Sequence, residues 1–424
     1  QDPSGRDNRS RAGVSLPRAG AAIAVVPTLK RGSSKYELSG EKVLYHEYAH
    51  HFMSSLTARK YPRWFTEGFA EFFAGVKFMS DGNIGIGLPP MHRAAELAYA
   101  REVPIRTMLE FDGGAASARN RRYDAFYGQS WVLFHYLHMA PERAGQVAKY
   151  EYLLGTGDTA LEAAEGAFGD LDQLEKEMES YQRRSKVGIR VLDRSALAIG
   201  PIAVRRMRPG ESAIMPIRIE SKAGVTAEEA LALLPDARKV AAAHPDDPVV
   251  LAALAEAEFD AGNDDAAIAA ADRALAIDPA QIDAHIQKGY ALFSKVKKGA
   301  LPKEALKDVR LQFVKANKVE NDHPAPLVHF YLAYLEQGQR PTQNAINGLE
   351  WAMRLAPFDP SLRWLVAQQM VADARYAEAV VTLAPLAYSP HPGENTERAR
   401  ALLEDVESRI AGEQGTTSGT AIEN

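Results

Sequence analysis

Cysteine is absent from the 424-residue chain, which excludes disulfides, thiolate nucleophiles and zinc or iron–sulfur sites built on thiolates. Any metal must then sit on His and carboxylate. Long apolar runs are missing as well: the candidate nearest the amino terminus, Ala21 to Val26, falls far short of the ~18 residues needed to cross a bilayer. No transmembrane segment is expected. Nor is there an excess of positive charge, because 50 Lys+Arg stand against 55 Asp+Glu for a net charge of -5, so nucleic acid is not expected as a partner. What remains, 46% hydrophobic and 25% charged residues, is an ordinary globular composition, and the length allows about two to four domains. The first residue is Gln1 rather than Met, read as the trace of a removed upstream piece such as a signal peptide. A periplasmic or secreted location is compatible with that start and with the lack of cysteine, and the cytoplasm stays open.

The texture of the chain changes three times. Within residues 1–185, Ala21–Val26 reads as a short strand, Glu41–Leu56 as a deeply buried helix, Pro62–Phe73 as a second helix and Tyr123–Met139 as a third. Asp81-Gly82-Asn83 is a turn signal, and Ile84–Gly87 reads as one arm of a hairpin. Residues 186–222 hold short β-branched runs, Ile189–Val191, Ile202–Val204 and Ile214–Ile219, and are expected to form a β-rich bridge. From 223 to 395 the composition turns to Ala, Leu, Asp and Glu with a recurring pattern. Leu251, Leu254, Gly262, Ala267, Ile268, Ala274, Leu275 and Asp278-Pro279 mark one unit of it, and a second ends at Pro357. A longer unit lies between them, with Lys295–Lys303 as its insertion, and a degenerate one spans Ser361–Pro390. Residues 396–424 finish a helix, and the segment after Ala411, poor in apolar residues, reads as unstructured.

Chemistry concentrates in two segments. Val43–Met53 contains His46-Glu47-Tyr48-Ala49-His50, and at 3.6 residues per turn the two imidazoles share a helix face and reach one ion. Glu47 is rotated about 100° from His46, near such an ion without ligating it. A catalytic zinc needs a third protein ligand. Trp64–Phe73 supplies two carboxylates one turn apart, Glu67 and Glu71, in apolar surroundings where they are costly unless something charged meets them.

These residues resemble the gluzincin metallopeptidases, whose HExxH is followed by a helix bearing a Glu ligand in an E-G-x-A-like context. The run His46–Phe52 with Glu67-Gly68-Phe69-Ala70-Glu71-Phe72 is similar to a bacterial peptidase-MA-like group. The resemblance implies one Zn2+ held by His46, His50 and Glu67, with Glu47 as general base and Glu71 holding a ligand His in its tautomer. It also implies a tyrosine donor to the oxyanion from a downstream helix, Tyr127 first and Tyr123 second. His51, His135 and His138 are read as structural, His92 and Arg93 as an ordinary loop or as lining the cleft, and Arg119, Arg121 and Arg122 as a solvated face. The offsets after residue 223 resemble the tetratricopeptide repeat, two antiparallel helices in ~34 residues.

The fold expected from these resemblances is α+β: a zincin-like catalytic domain with a small sheet and active-site helices, then the bridge, then an all-α repeat solenoid. The expected function is Glu-assisted hydrolysis of peptide bonds in a peptide or protein substrate, with the edge of the Ala21–Val26 strand pairing to it and the repeats binding substrate or a protein partner. The alternative is an interaction scaffold whose zincin domain is inert.

Overall fold

The structure, a computed structural model, describes residues 14–16, 20, 23–26, 36–57, 61–110, 124–388 and 394–419. Contacts divide the chain into two compact units. The motif unit gathers Ala24–Gly200 and Arg363–Asn424, and the repeat unit gathers Leu16–Ile23 and Pro201–Leu362.

In the motif unit, α1 (Gly40–Leu56) starts where Ser39 accepts the Lys42 N–H with its hydroxyl, satisfying one of the free donors of a helix start. Helix α2 (Arg63–Ala74) follows Pro62. Short helices α3 (Ala94–Tyr99) and α4 (Ile105–Glu110) precede α5 (Phe126–Met139), α6 (Gln146–Thr156), α7 (Ala160–Phe168) and α8 (Leu171–Gln182). Rings from α2, α5, α6 and α7 fill the core: Trp64, Phe65, Phe126, Phe134, Tyr150 and Phe168 are all buried. Gly68 is needed where α2 meets α5, since a Cβ there would lie 2.5 Å from the Ser130 carbonyl oxygen and 2.7 Å from Phe134 Cβ.

Strand content is small. Strands β1 (Val14–Leu16) and β2 (Ile23–Val25) make a two-stranded sheet. Strands β3 (Lys77–Phe78), β4 (Ile84–Ile86) and β5 (Arg190–Leu192) make an antiparallel three-stranded one, with Phe78 opposite Ile84 and Gly85 opposite Val191. Its hairpin turns at Gly82, φ 87°, where Asp81 accepts the Asn83 N–H. This overturns the expected α+β class: among the described residues the motif unit is helical, with a patch of two- and three-residue strands and no zincin-like sheet. The physical reason is that the apolar residues between 40 and 182 recur at helical spacing, so helices supply the core. Strands this short contribute little to it.

Two further expectations fail locally. Helix α1 is not buried all round, since Leu44, Tyr48, Phe52 and Leu56, four residues apart, form an exposed stripe (43%, 60%, 44% and 70%). The β-rich bridge keeps only β5. Its Ile214–Ile219 run lies in α9 (Pro209–Ala223), whose first turn is set by Pro209 and by Glu211 accepting the Arg208 N–H. Ile214, Ile217 and Ser221 are buried at helical, not alternating, spacing.

The repeat unit continues with α10 (Ala227–Ala243), α11 (Pro248–Asp260), α12 (Asp264–Ile277), α13 (Ile282–Lys297), α14 (Leu306–Val319), α15 (Pro324–Glu336) and α16 (Gln343–Leu355). Alanines seal α11 to α12, with Ala252, Ala255, Ala267, Ala270, Ala271 and Ala274 buried, and Gly262 turns between them at φ 81°. The expected insertion is the loop and short 3-10 turn between α13 and α14. Helices α17 (Pro360–Ala372), α18 (Tyr376–Ala387) and α19 (Glu394–Gly419) close the chain. From Arg363 onward they group with the motif unit. The segment after Ala411, expected to be unstructured, continues α19 through Gly419. None of the described helices is long and apolar enough to cross a membrane.

Candidate metal centre

Helices α1 and α2 bring His46, His50 and Glu67 together, their potential ligand atoms all within 4.8 Å of one another. The His46 and His50 Nε2 atoms are 3.2 Å apart, and Glu67 Oε2 lies 3.3 Å from the first and 3.5 Å from the second. Ligands about 2.0 to 2.2 Å from a tetrahedral zinc are separated by about 3.3 Å. The three donors therefore already stand at the edge length of such a coordination shell. Glu67 Oε2 is buried and has no hydrogen-bond partner, a costly state for a carboxylate oxygen that a cation at this point would relieve. The donor set of two imidazoles and one carboxylate fits zinc.

The other edges of these ligands are held from behind. Arg63 Nε lies 3.4 Å from Glu67 Oε1 and leaves Oε2 to face the imidazoles. Glu71 is fully buried. Its Oε1 lies 3.4 Å from His46 Nδ1 and accepts from Arg93 Nε and Nη2 at 2.9 and 2.6 Å, while Oε2 lies 3.1 Å from His92 Nε2. Arg93 extends the chain of charges to Glu96, whose other oxygen accepts the Gly128 N–H at 2.7 Å. Burial alone would push both glutamates up in pKa. The imidazoles outweigh it for Glu67, which is held well below the carboxylate range, and His92, Arg93 and His46 hold Glu71 at about 2. His46 is raised: burial opposes its charge, but Glu67, Glu71 and Glu47 favour it.

Glu47 is buried on α1 close enough for its charge to act on His46. Tyr127, in the first turn of α5, accepts a hydrogen bond from Arg63 Nη2 at 2.8 Å, and the Arg93 guanidinium sits 4.6 Å from its ring centre. Burial, with the nearby Glu67 charge, raises its phenol pKa. The second choice, Tyr123, lies outside the described residues, as do Arg119, Arg121 and Arg122. His51 Nε2 approaches Ser55 Oγ at 3.4 Å, and His135 is buried between Tyr181 Oη and the Gly188 carbonyl at 2.8 and 3.0 Å. His138 stacks on Phe134.

His92 and Arg93, read from sequence as lining the cleft or as an ordinary loop, form a single 3-10 turn (Met91–Arg93) that converges on Glu71. Their place follows no spacing rule. The one signal was energetic: a carboxylate in as apolar a helix as α2 needs cations from somewhere.

Comparison with known proteins speaks to the repeat unit. The tetratricopeptide repeat model matches residues 248–291, which are α11, α12 and the first part of α13. Among solved structures, the chain is similar to a thermophilic TPR protein of Thermus thermophilus, with 19% identity and a TM-score of 0.38 over 46% of this chain and 98% of that one. It is similar to pilF of Pseudomonas aeruginosa, with 15% identity and a TM-score of 0.38 over 48% and 90%. It is also similar to yeast Tom70, with 15% identity and a TM-score of 0.30 over 88% and 74%. No curated protein matches the chain. A tetratricopeptide repeat is thus present at residues 248–291.

Proposed function

We propose that the motif unit is a zinc-dependent peptide hydrolase and that the repeat unit recruits its substrate or a partner protein. The observation that carries this reading is the 3.2 to 3.5 Å triangle formed by His46 Nε2, His50 Nε2 and Glu67 Oε2, the last buried and without a hydrogen-bond partner. Zinc held by these three supplies Lewis-acid chemistry, acidifying a water and polarising a carbonyl.

The chain's own residues do the rest. Glu71 faces His46 Nδ1, which leaves Nε2 free to ligate. Arg63 occupies Glu67 Oε1 and so presents Oε2. Glu47, one residue from a ligand and buried, takes the proton from the attacking water and passes it to the leaving amine. Tyr127 accepts from Arg63, so its own O–H remains to donate to the carbonyl oxygen as charge develops there.

Metal analysis and cleavage of a mixed peptide library test the reading together. Zinc is expected in the wild type and in Glu47→Gln but not in His46→Ala, with cleavage only in the wild type. Tyr127→Phe is expected to keep zinc and lower kcat by about 10- to 100-fold; an unchanged kcat removes the tyrosine's role. The matched repeat at 248–291 favours a second reading, an interaction scaffold with an inert metal site. A wild type that binds zinc and cleaves nothing would decide for it.

A further inference from the structure

The first helices of successive repeats, α9, α11, α13 and α15, contact one another in order and form one layer. A cavity of about 350 Å³ opens on this layer, lined by Lys222, Glu256, Asp260, Asp283, Gln287 and Tyr290 among others. Its size is at the small end of ligand cavities, ~300 to 1,000 Å³.

The charges inside do not balance. Three carboxylates share two cations: Lys222 Nζ lies 2.7 Å from Glu256 and 3.9 Å from Asp283, and Arg218 lies 3.0 Å from Asp283. Asp260 is met by the Ser221 hydroxyl, a neutral donor. His323 adds no charge where its Nδ1 accepts the Ala325 N–H, and burial lowers its pKa. Burial raises Glu256 and Asp260, and at Glu256 the charges of Asp283 and Asp260 add to it. A separate observation points the same way. Gln287, which lines this cavity, is 3% exposed, and its buried Oε1 has no hydrogen-bond partner. An unmet acceptor beside surplus carboxylate calls for a donor that carries positive charge.

Phe259 and Tyr290 line this cavity and also a second one of about 720 Å³ with Phe293, Lys297, Lys298, His329 and Leu332, where Lys298 is paired with Asp264 at 2.7 Å. The positive charge of the second cavity sets it apart from the first, and the rings between them suit the residues flanking a basic one in an extended peptide. We propose that the repeat unit binds an extended peptide by seating the ammonium or guanidinium of one basic side chain among Glu256, Asp260 and Gln287 Oε1, with its neighbours on Phe259 and Tyr290. This rests on the reading of the repeat unit as a binding module and is independent of the metal.

The test is calorimetric titration of the full chain, kept zinc-free with a chelator so that nothing is cleaved. The ligands are blocked pentapeptides with a central lysine, arginine, norleucine or glutamate, and n-butylamine alone. The lysine and arginine peptides are expected to bind at least about tenfold tighter than norleucine. Gln287→Leu and Asp260→Asn should each remove most of that preference while leaving norleucine binding unchanged and the melting temperature no lower than that of the wild type. Equal affinity for lysine and norleucine would overturn the cavity's role and leave the binding module standing. Preference for glutamate, or butylamine binding as tightly as the lysine peptide, would also overturn the proposal. Binding of none of them would sink the module with it, whatever the zinc measurements show.

Discussion

Where the motif unit buries rings, among them Trp64, Phe65, Phe126, Phe134, Tyr150 and Phe168, the repeat unit buries alanines, among them Ala252, Ala255, Ala267, Ala270, Ala271 and Ala274. Rings interlock in one arrangement: Trp64 meets Phe65 edge-on at 5.4 Å and Tyr150 at 5.6 Å. That suits a point site, because three donors must be held within a few tenths of an ångström of a fixed geometry. Alanines let backbones approach closely in equivalent layers, which suits an extended face built by repetition. The ring core thus allows little register freedom, whereas the alanine core repeats one register.

The largest effect should fall on the rings. Trp64→Ala removes a side chain with no exposed surface and is expected to cost about 3 to 5 kcal/mol in urea denaturation, carrying zinc affinity down with it because Trp64 and Glu67 share a helix. Should the variant unfold at nearly the wild-type urea concentration, the motif unit would not depend on interlocked rings.

Next comes Glu71→Gln. Its carboxyl is held at about 2, below the ordinary 4.5, so the ionised form stabilises the metal-free fold fully above about pH 4.5, and that contribution is lost as pH falls through about 2. The variant should cost on the order of 3 kcal/mol at pH 7, with the difference from wild type shrinking as pH drops below 4.5. With zinc, a 10- to 100-fold loss of affinity is expected. A pH-independent difference would mean that shape, not charge, sets the role of Glu71.

This contrast also explains what the sequence could disclose. His46, His50, Glu67 and Glu71 were legible because helical period is local, and charges in apolar helices must be explained. The pairs α11–α12 and α15–α16 were legible because small residues and Gly262 recur. Arg93 and Glu96 were not: they reach Glu71 and Gly128 through a loop whose path depends on the whole core. The sheet was overestimated for a similar reason. Ile217 and Ile219 alternate as in a strand, yet Pro209 and the Glu211 cap decide for helix.

A smaller effect tests the alanine side. Ala271→Gly removes one buried methyl from α12 and loosens the helix backbone, for an expected cost of about 1 kcal/mol. Denaturation should show the loss without any change in zinc content. A cost approaching that of Trp64→Ala would erase the difference between the two cores.

The smallest effect has the opposite sign. Burial raises the Glu256 pKa despite the Lys222 contact at 2.7 Å, so its ionised form costs the folded repeat unit stability at neutral pH. That cost is relieved as pH falls through the raised pKa toward the ordinary 4.5. Glu256→Gln mimics the protonated form and should stabilise slightly at pH 7, the gain vanishing below about pH 4.5 where the wild type is protonated too. Lys222 keeps Asp283, 3.9 Å away, as a counter-charge. Equilibrium melts at pH 7 and pH 4 would thus move Glu71→Gln and Glu256→Gln toward wild type from opposite sides. If Glu256→Gln were instead destabilising at pH 7, the Lys222 pair would outweigh burial. The repeat unit's carboxylates would then be as well compensated as Glu71 behind His46.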